Sequence, residues 1–351
     1  MLPWLRTMSM SITTRSFLRL GALAGAGLIV RGLLRQRRRI DLSGKIAVVT
    51  GGSRGLGLVL TRELLRRGAR VAICARDEAE LDRARIDLAG LGEVFTSPCD
   101  LTSRSDIERF ITEVRDELGP IDVLVNNAGV ITVGPAELMT LDDYDEAFRT
   151  HLWAPLHAMN AVIPEMRQRR AGRIVNVASI GGKLAMPHLA PYTASKFALV
   201  GLSAAMRTEL AKDNVFVTTA CPGLMRTGSP RNASFRGNHR AEYAWFDIAD
   251  NLPLLSISAE HAACRILDAC QEGDPEVVPS LAARLAVFAG AIAPGMVQEL
   301  AGAVAAMLPA ARPGSRERRT GAESESVLAP SILTALGDAA ARRNNEIKPA
   351  K

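Results

Sequence analysis

From Lys45 onward, short apolar runs alternate with longer stretches in which apolar residues recur every three or four positions. Ile46-Ala47-Val48-Val49 ends in glycines, the pattern of a parallel strand buried on both faces. A helical stretch follows to Arg67 and is closed by Gly68. The same reading predicts strands at 71–74, 94–95, 121–125, 173–177 and 215–219. Between them it predicts helices at 78–89, 105–118, 141–169 and 193–210. Such alternation implies a parallel sheet with helices on both faces, and right-handed crossovers leave the doubly wound α/β (Rossmann) arrangement as the commonest solution.

The flanks break this rhythm. Residues 17–34 are small and apolar, interrupted only by Arg19 and Arg31. At about 1.5 Å per residue, that stretch barely matches a ~30 Å hydrocarbon core, and only if both arginines snorkel. Arg35, Arg37, Arg38 and Arg39 follow where a signal peptide would carry a small-residue cleavage site. The segment therefore reads as a membrane anchor or interfacial helix that keeps the next domain on the cytoplasmic side of a membrane, or in the cytoplasm. An export signal and an unstructured leader are the alternatives. Further on, 224–257 is loop-like, 259–271 helical, and Val277-Val278 a last short strand. Residues 281–308 are apolar and Ala-rich, while 311–326 are polar and read as a disordered linker. The expected organisation is an anchoring segment over 1–40, one α/β domain over 41–280, and an apolar helical extension with a polar, partly disordered tail over 281–351.

Composition narrows the function. The net charge of +6 resides in the N-terminal arginines and around Arg316, Arg318 and Arg319. No basic stripe with interleaved aromatics crosses the middle of the chain, so no nucleic-acid partner is expected. Cys74, Cys99, Cys221, Cys264 and Cys270 are odd in number and scattered, as core thiols in a reducing compartment would be. No Cys or His pair has zinc-site spacing, and no metal is expected.

Directly after the first strand, Thr50-Gly51-Gly52-Ser53-Arg54-Gly55-Leu56-Gly57 opens a helix. Glycines there permit a tight turn and let a pyrophosphate approach the N–H groups of a helix N-terminus. Asp100 follows the third strand, and Asn126-Asn127-Ala128-Gly129 ends the fourth. Ser179 stands thirteen residues before Tyr192-Thr193-Ala194-Ser195-Lys196, and Pro222-Gly223 and Thr227 follow the sixth strand. In type, order and spacing these residues resemble the short-chain dehydrogenase/reductase family over residues 42–280. The resemblance implies an NAD(P)-dependent oxidoreductase acting on CH–OH groups. It also implies cofactor contacts from Gly51, Ser53, Arg54, Gly55, Leu56, Gly57, Arg76, Asp100, Leu101, Asn127, Ala128 and Gly129. Tyr192, Lys196, Pro222, Gly223 and Thr227 complete that implied set, with Asp100 at the adenine and Lys196 at the nicotinamide ribose.

The chemistry of the pair follows from its spacing. A phenol near pKa 10 is a poor base at neutral pH, and an ammonium four residues away on one helix face favours the phenolate. Ser179 would orient the substrate oxygen. His151 stands where the family carries an asparagine that binds a relay water; it reads either as a proton relay or as a packing histidine. Ala75 and Arg76 occupy the end of the second strand, where NAD-preferring sites place an acid, and Arg54 lies in the glycine loop. With no carboxylate expected beside them, NADP(H) is favoured over NAD(H). The loop 224–257 combines Arg226, Arg231, Arg236, His239 and Arg240 with Phe235, Tyr243, Trp245 and Phe246. Either it closes over an apolar or anionic substrate, or its aromatics are ordinary packing. The expected substrate is a lipophilic small-molecule alcohol or ketone. A 3-oxoacyl thioester reductase and a non-catalytic NADP(H)-binding scaffold or sensor are the alternatives. The family resemblance implies a homodimer or homotetramer formed through the helices near His151 and Tyr192.

Overall fold

The computed structural model describes residue 25 and residues 29–311 and 317–347. The chain divides at Ile40/Asp41 into two units. In the first, helix α1 covers residues 29–38 and exposes Ile29, Val30, Leu33 and Leu34. Most of the apolar run 17–34 lies outside the described residues. Among those described, no helix is long and apolar enough to cross a membrane.

The second unit is built on seven parallel strands. These are β1 (Ile46–Thr50), β2 (Arg70–Ala75), β3 (Val94–Pro98), β4 (Val123–Asn126), β6 (Gly172–Val177), β7 (Val215–Ala220) and β11 (Glu276–Val277). They lie in the order β3-β2-β1-β4-β6-β7-β11, so the winding reverses between β1 and β4. Register pairs Ala47 with both Val71 and Val123. Ile46 and Val48 alternate with Ala47 and Val49, and their face packs on α4 (Arg104–Glu117) and α6 (Ala154–Arg169) through Phe110, Val114, Met159 and Val162. Helices begin where the side chains can cap them. Asp77 caps α3 (Glu78–Leu88), Ser103 caps α4, and Thr140 and Asp143 form a capping box on α5 (Leu141–Phe148).

The structure differs from the sequence expectations in three places. The long helix over 141–169 is helical throughout, but a π-turn at Arg149–Trp153 separates α5 from α6 and carries His151. The segment 224–257 is not a plain loop, because it holds α8 (His239–Asn251) and short strands β8 (Met225–Arg226), β9 (Ser234–Phe235) and β10 (Ile257–Ser258). Its aromatics supply the reason: Phe235, Tyr243 and Phe246 meet edge to face and bury one another. Of the expected linker 311–326, residues 312–316 lie outside the described set, but 317–326 are ordered. There β12 (Arg319–Thr320) pairs antiparallel with β9, which also pairs with β5 (Thr132–Val133), while Arg318 and Glu325 form ion pairs with Glu146 and Arg231. Ladder bonds and paired charges compensate for the missing apolar content, which composition does not reveal.

After β11, α10 (Leu281–Ile292) and α11 (Pro294–Ala305) leave Leu281, Leu285, Phe288, Ile292, Met296 and Leu300 exposed. Helix α12 (Ala335–Arg343) then brings the chain back to the domain, where Gly337 N–H donates to Asn251 Oδ1 at 2.6 Å.

Candidate active site

A winding reversal in a parallel sheet opens a crevice at the strand ends, because successive connections leave in opposite directions. Here the carboxyl ends of β1 and β4 border a cleft of about 560 Å3. The Thr50 hydroxyl oxygen accepts the Asn127 and Ala128 N–H groups at 3.0 and 3.3 Å, and Asn127 Nδ2 donates to the Thr50 and Gly51 carbonyls at 3.2 and 3.1 Å. The two loops are thus tied into one floor. Helix α2 (Gly55–Arg66) starts very close to it: a Cβ on Gly57 would lie 2.0 Å from the Gly51 carbonyl oxygen. Only glycine permits that approach.

Every residue expected to hold the cofactor lines this cleft except Gly57, which packs under the turn. Arg76 and Asp100 lie in the same cleft as Tyr192 and Lys196, so a single opening joins the residues expected at the two ends of a dinucleotide. Asp100 accepts the Thr102 N–H and hydroxyl, both at 2.9 Å, and these bonds with nearby Arg76 hold its carboxyl below the usual range.

Ser179, just after the end of β6, accepts the Gly181 N–H at 3.0 Å and lines the cleft beside Tyr192, whose pKa it lowers. Tyr192 and Lys196 lie one turn apart on α7 (Ala190–Leu210). Lys196 Nζ donates to the Val177 carbonyl at 2.8 Å and lies 5.7 Å from the centre of the Tyr192 ring. Burial pushes the Tyr192 phenol up to about 12, against the lowering effect of Ser179, and burial pulls Lys196 down to about 7. The expected lowering of the phenol by the ammonium is therefore reversed in this state. A dry site disfavours phenolate and ammonium alike, and desolvation outweighs their mutual attraction.

His151 is fully buried. Its Nε2 accepts the Val130 N–H at 3.1 Å, and Nδ1 lies 2.7 Å from Ser195 Oγ. Ser195 donates in turn to the Pro191 or Tyr192 carbonyl, both at 2.9 Å, so the network assigns the imidazole hydrogen to Nδ1. Burial, then the charge of Lys196, holds its pKa well below the ordinary value. The ring is a neutral strut between the loop after β4 and α7, its centroid 5.4 Å from that of the Tyr192 ring and nearly perpendicular to it.

The arginines of 224–257 point to structure more than to substrate. Arg226 donates to Ser256, Arg231 pairs with Glu325 at 2.6 Å, and Arg236 pairs with Asp143 at 2.8 Å. The cleft beyond Tyr192 is walled by Ile131, Met186, Leu189 and Phe246. The Asp250 carboxyl also lines the cleft, and burial and Asp247 hold it well above its ordinary range. Sequence reasoning missed Asp250, which no motif marks.

It also missed two carboxylates beside Arg54. Glu80 lies 3.5 Å and Glu346 2.9 Å from the guanidinium, so the expectation that no carboxylate stands there is corrected. Glu80 carried a signal, being three residues beyond the helix cap Asp77. Glu346 is 292 residues from Arg54 and carried none.

A family model described as short chain dehydrogenase matches residues 45–235. The chain is 37% identical over 198 residues to a putative ketoacyl reductase of Streptomyces coelicolor, covering 56% of this chain and 75% of that protein. It is 35% identical over 204 residues to a dehydrogenase/reductase SDR family protein 7-like of Anopheles gambiae, covering 56% of this chain but only 64% of that relative's length. It is 35% identical over 188 residues to a gluconate 5-dehydrogenase of Gluconobacter oxydans, covering 53% and 73% of the two chains.

Proposed function

Because the chain belongs to the short-chain dehydrogenase family, we propose that it is an oxidoreductase moving a hydride between NADP(H) and a lipophilic alcohol or ketone. The observation that carries this reading is the convergence of Ser179, Tyr192, Lys196 and the glycine turn on one cleft. The cofactor, when bound, supplies or accepts the hydride and, oxidised, adds a positive charge. Ser179 holds the substrate oxygen against Tyr192, whose hydroxyl gives up its proton to that oxygen in reduction and takes it back in oxidation. A phenol near 12 retains the proton it must donate. Lys196, charged below about pH 7, favours its release. His151 positions this group from behind through Val130 and Ser195.

Exposed Arg76 and the uncharged Ala75 support NADP(H), with Arg54 in the same cleft but already paired with Glu80 and Glu346. The apolar wall of Ile131, Met186, Leu189 and Phe246 supports a lipophilic substrate. Association with the cytoplasmic side of a membrane is supported by the exposed apolar faces of α1, α10 and α11. Self-association near the site is supported by exposed Trp153 and Phe197. The name of the Streptomyces coelicolor relative favours a second reading, a 3-oxoacyl thioester reductase. A panel of lipophilic ketones, alcohols and acyl thioesters, followed by NADPH absorbance, tests both. Turnover of thioesters alone selects the second, and turnover of none removes the oxidoreductase reading.

A further inference from the structure

The first N–H groups of a helix have no intrahelical partner and attract anions. Helix α2 has neither a side-chain cap nor an acid in its first turn. Its partners come instead from the far end of the chain. Gly55 N–H donates to the Asn344 carbonyl at 2.9 Å. Asn345, held at φ +57°, donates from Nδ2 to the carbonyls of Ser53 and Glu80 at 2.9 and 3.1 Å. Glu346 Oε2 accepts from Arg54 Nη1 at 2.9 Å and Asn232 Nδ2 at 2.6 Å. Its Oε1 stands 2.5 Å from where a Cβ on Gly55 would lie. Three consecutive residues thus lock onto the phosphate-binding turn, and they bring an anion with them. This segment lies more than a hundred residues beyond the family match, which ends at 235.

We propose that Glu346 is a cofactor-selectivity residue: its ion pair with Arg54 must be broken by a phosphate on the adenosine ribose but not by a ribose hydroxyl. Glu346 and Glu80 flank a single guanidinium, so Arg54 already has two carboxylate partners. A 2′-phosphate arrives as a further anion, loses this cation to two carboxylates, and meets their repulsion. A 2′-hydroxyl adds no charge and leaves the pair intact. Glu346 thereby penalises NADP(H) relative to NAD(H), and tempers the preference that Arg54 and Arg76 create.

The inference rests on the proposed oxidoreductase reading and is tested by binding rather than turnover. Calorimetric titration of the full-length protein with adenosine 2′,5′-bisphosphate and with ADP compares wild type with E346Q. The expected result is about tenfold tighter binding of the bisphosphate by E346Q, with ADP affinity changed less than about twofold. Equal changes for both ligands, or weaker bisphosphate binding, overturn the selectivity role. If neither ligand nor either dinucleotide binds wild type or variant, the oxidoreductase reading itself fails and the inference falls with it. E346N, shorter and equally uncharged, carries the same expectation if E346Q does not fold.

Discussion

Replacing Lys196 by methionine should make the free protein more stable while destroying its activity. The ammonium is buried, and the folded state pulls its pKa from 10.5 to about 7. At 1.36 kcal/mol per tenfold change, that displacement corresponds to roughly 5 kcal/mol of destabilisation at low pH. Methionine has similar length and no charge to desolvate, but it forfeits the 2.8 Å bond to the Val177 carbonyl. A hydrogen bond from a charged donor is worth about 1.5–3 kcal/mol, so K196M should be more stable by roughly 2–3 kcal/mol at pH 6. The sign of the pH dependence follows from the protons bound. Between pH 7 and 10.5 the unfolded lysine is protonated and the folded one is not, so wild-type stability rises with pH across that window. The advantage of K196M is therefore full below pH 7 and lost as pH approaches 10.5. Urea unfolding of both proteins at pH 6, 8 and 9.5 without cofactor measures the difference, in which other titrating groups largely cancel. A difference that stays constant with pH, or a K196M less stable than wild type at pH 6, would refute the argument.

Y192F should lower NADPH-dependent turnover by about 10^3-fold or more while leaving binding of adenosine 2′,5′-bisphosphate intact, since the phenol contributes a proton and not an adenosine contact. Near wild-type turnover would remove Tyr192 from the chemistry. H151A should cost about 1–2 kcal/mol in urea unfolding by leaving the half-buried Val130 N–H without its acceptor, and H151N should recover most of that by accepting it again. The pH profile of kcat in H151N should match wild type, because the imidazole is neutral throughout; a displaced profile would restore a relay role. G57A should abolish dinucleotide binding in calorimetry, since its Cβ would lie 2.0 Å from the Gly51 carbonyl oxygen.

Local pattern alone determined the sheet and its helices, because strand and helix periodicities are set by neighbours a few residues apart. The glycine turn and the four-residue spacing of Tyr192 and Lys196 on one helix were legible locally too, whereas Ser179 came from the family resemblance. Segments 239–251 and 317–326 escaped that reading, since their order comes from an aromatic cluster and from a strand paired across the chain. The ionisation of the site was also a tertiary matter. Sequence spacing predicts that Lys196 lowers Tyr192, whereas burial, which only the packed structure sets, reverses the direction. Arg54 makes the same point for the cofactor. Read in sequence it is a free cation for a phosphate. Folded, it already holds Glu346 from 292 residues away, because chain closure brings together groups that no local signal relates.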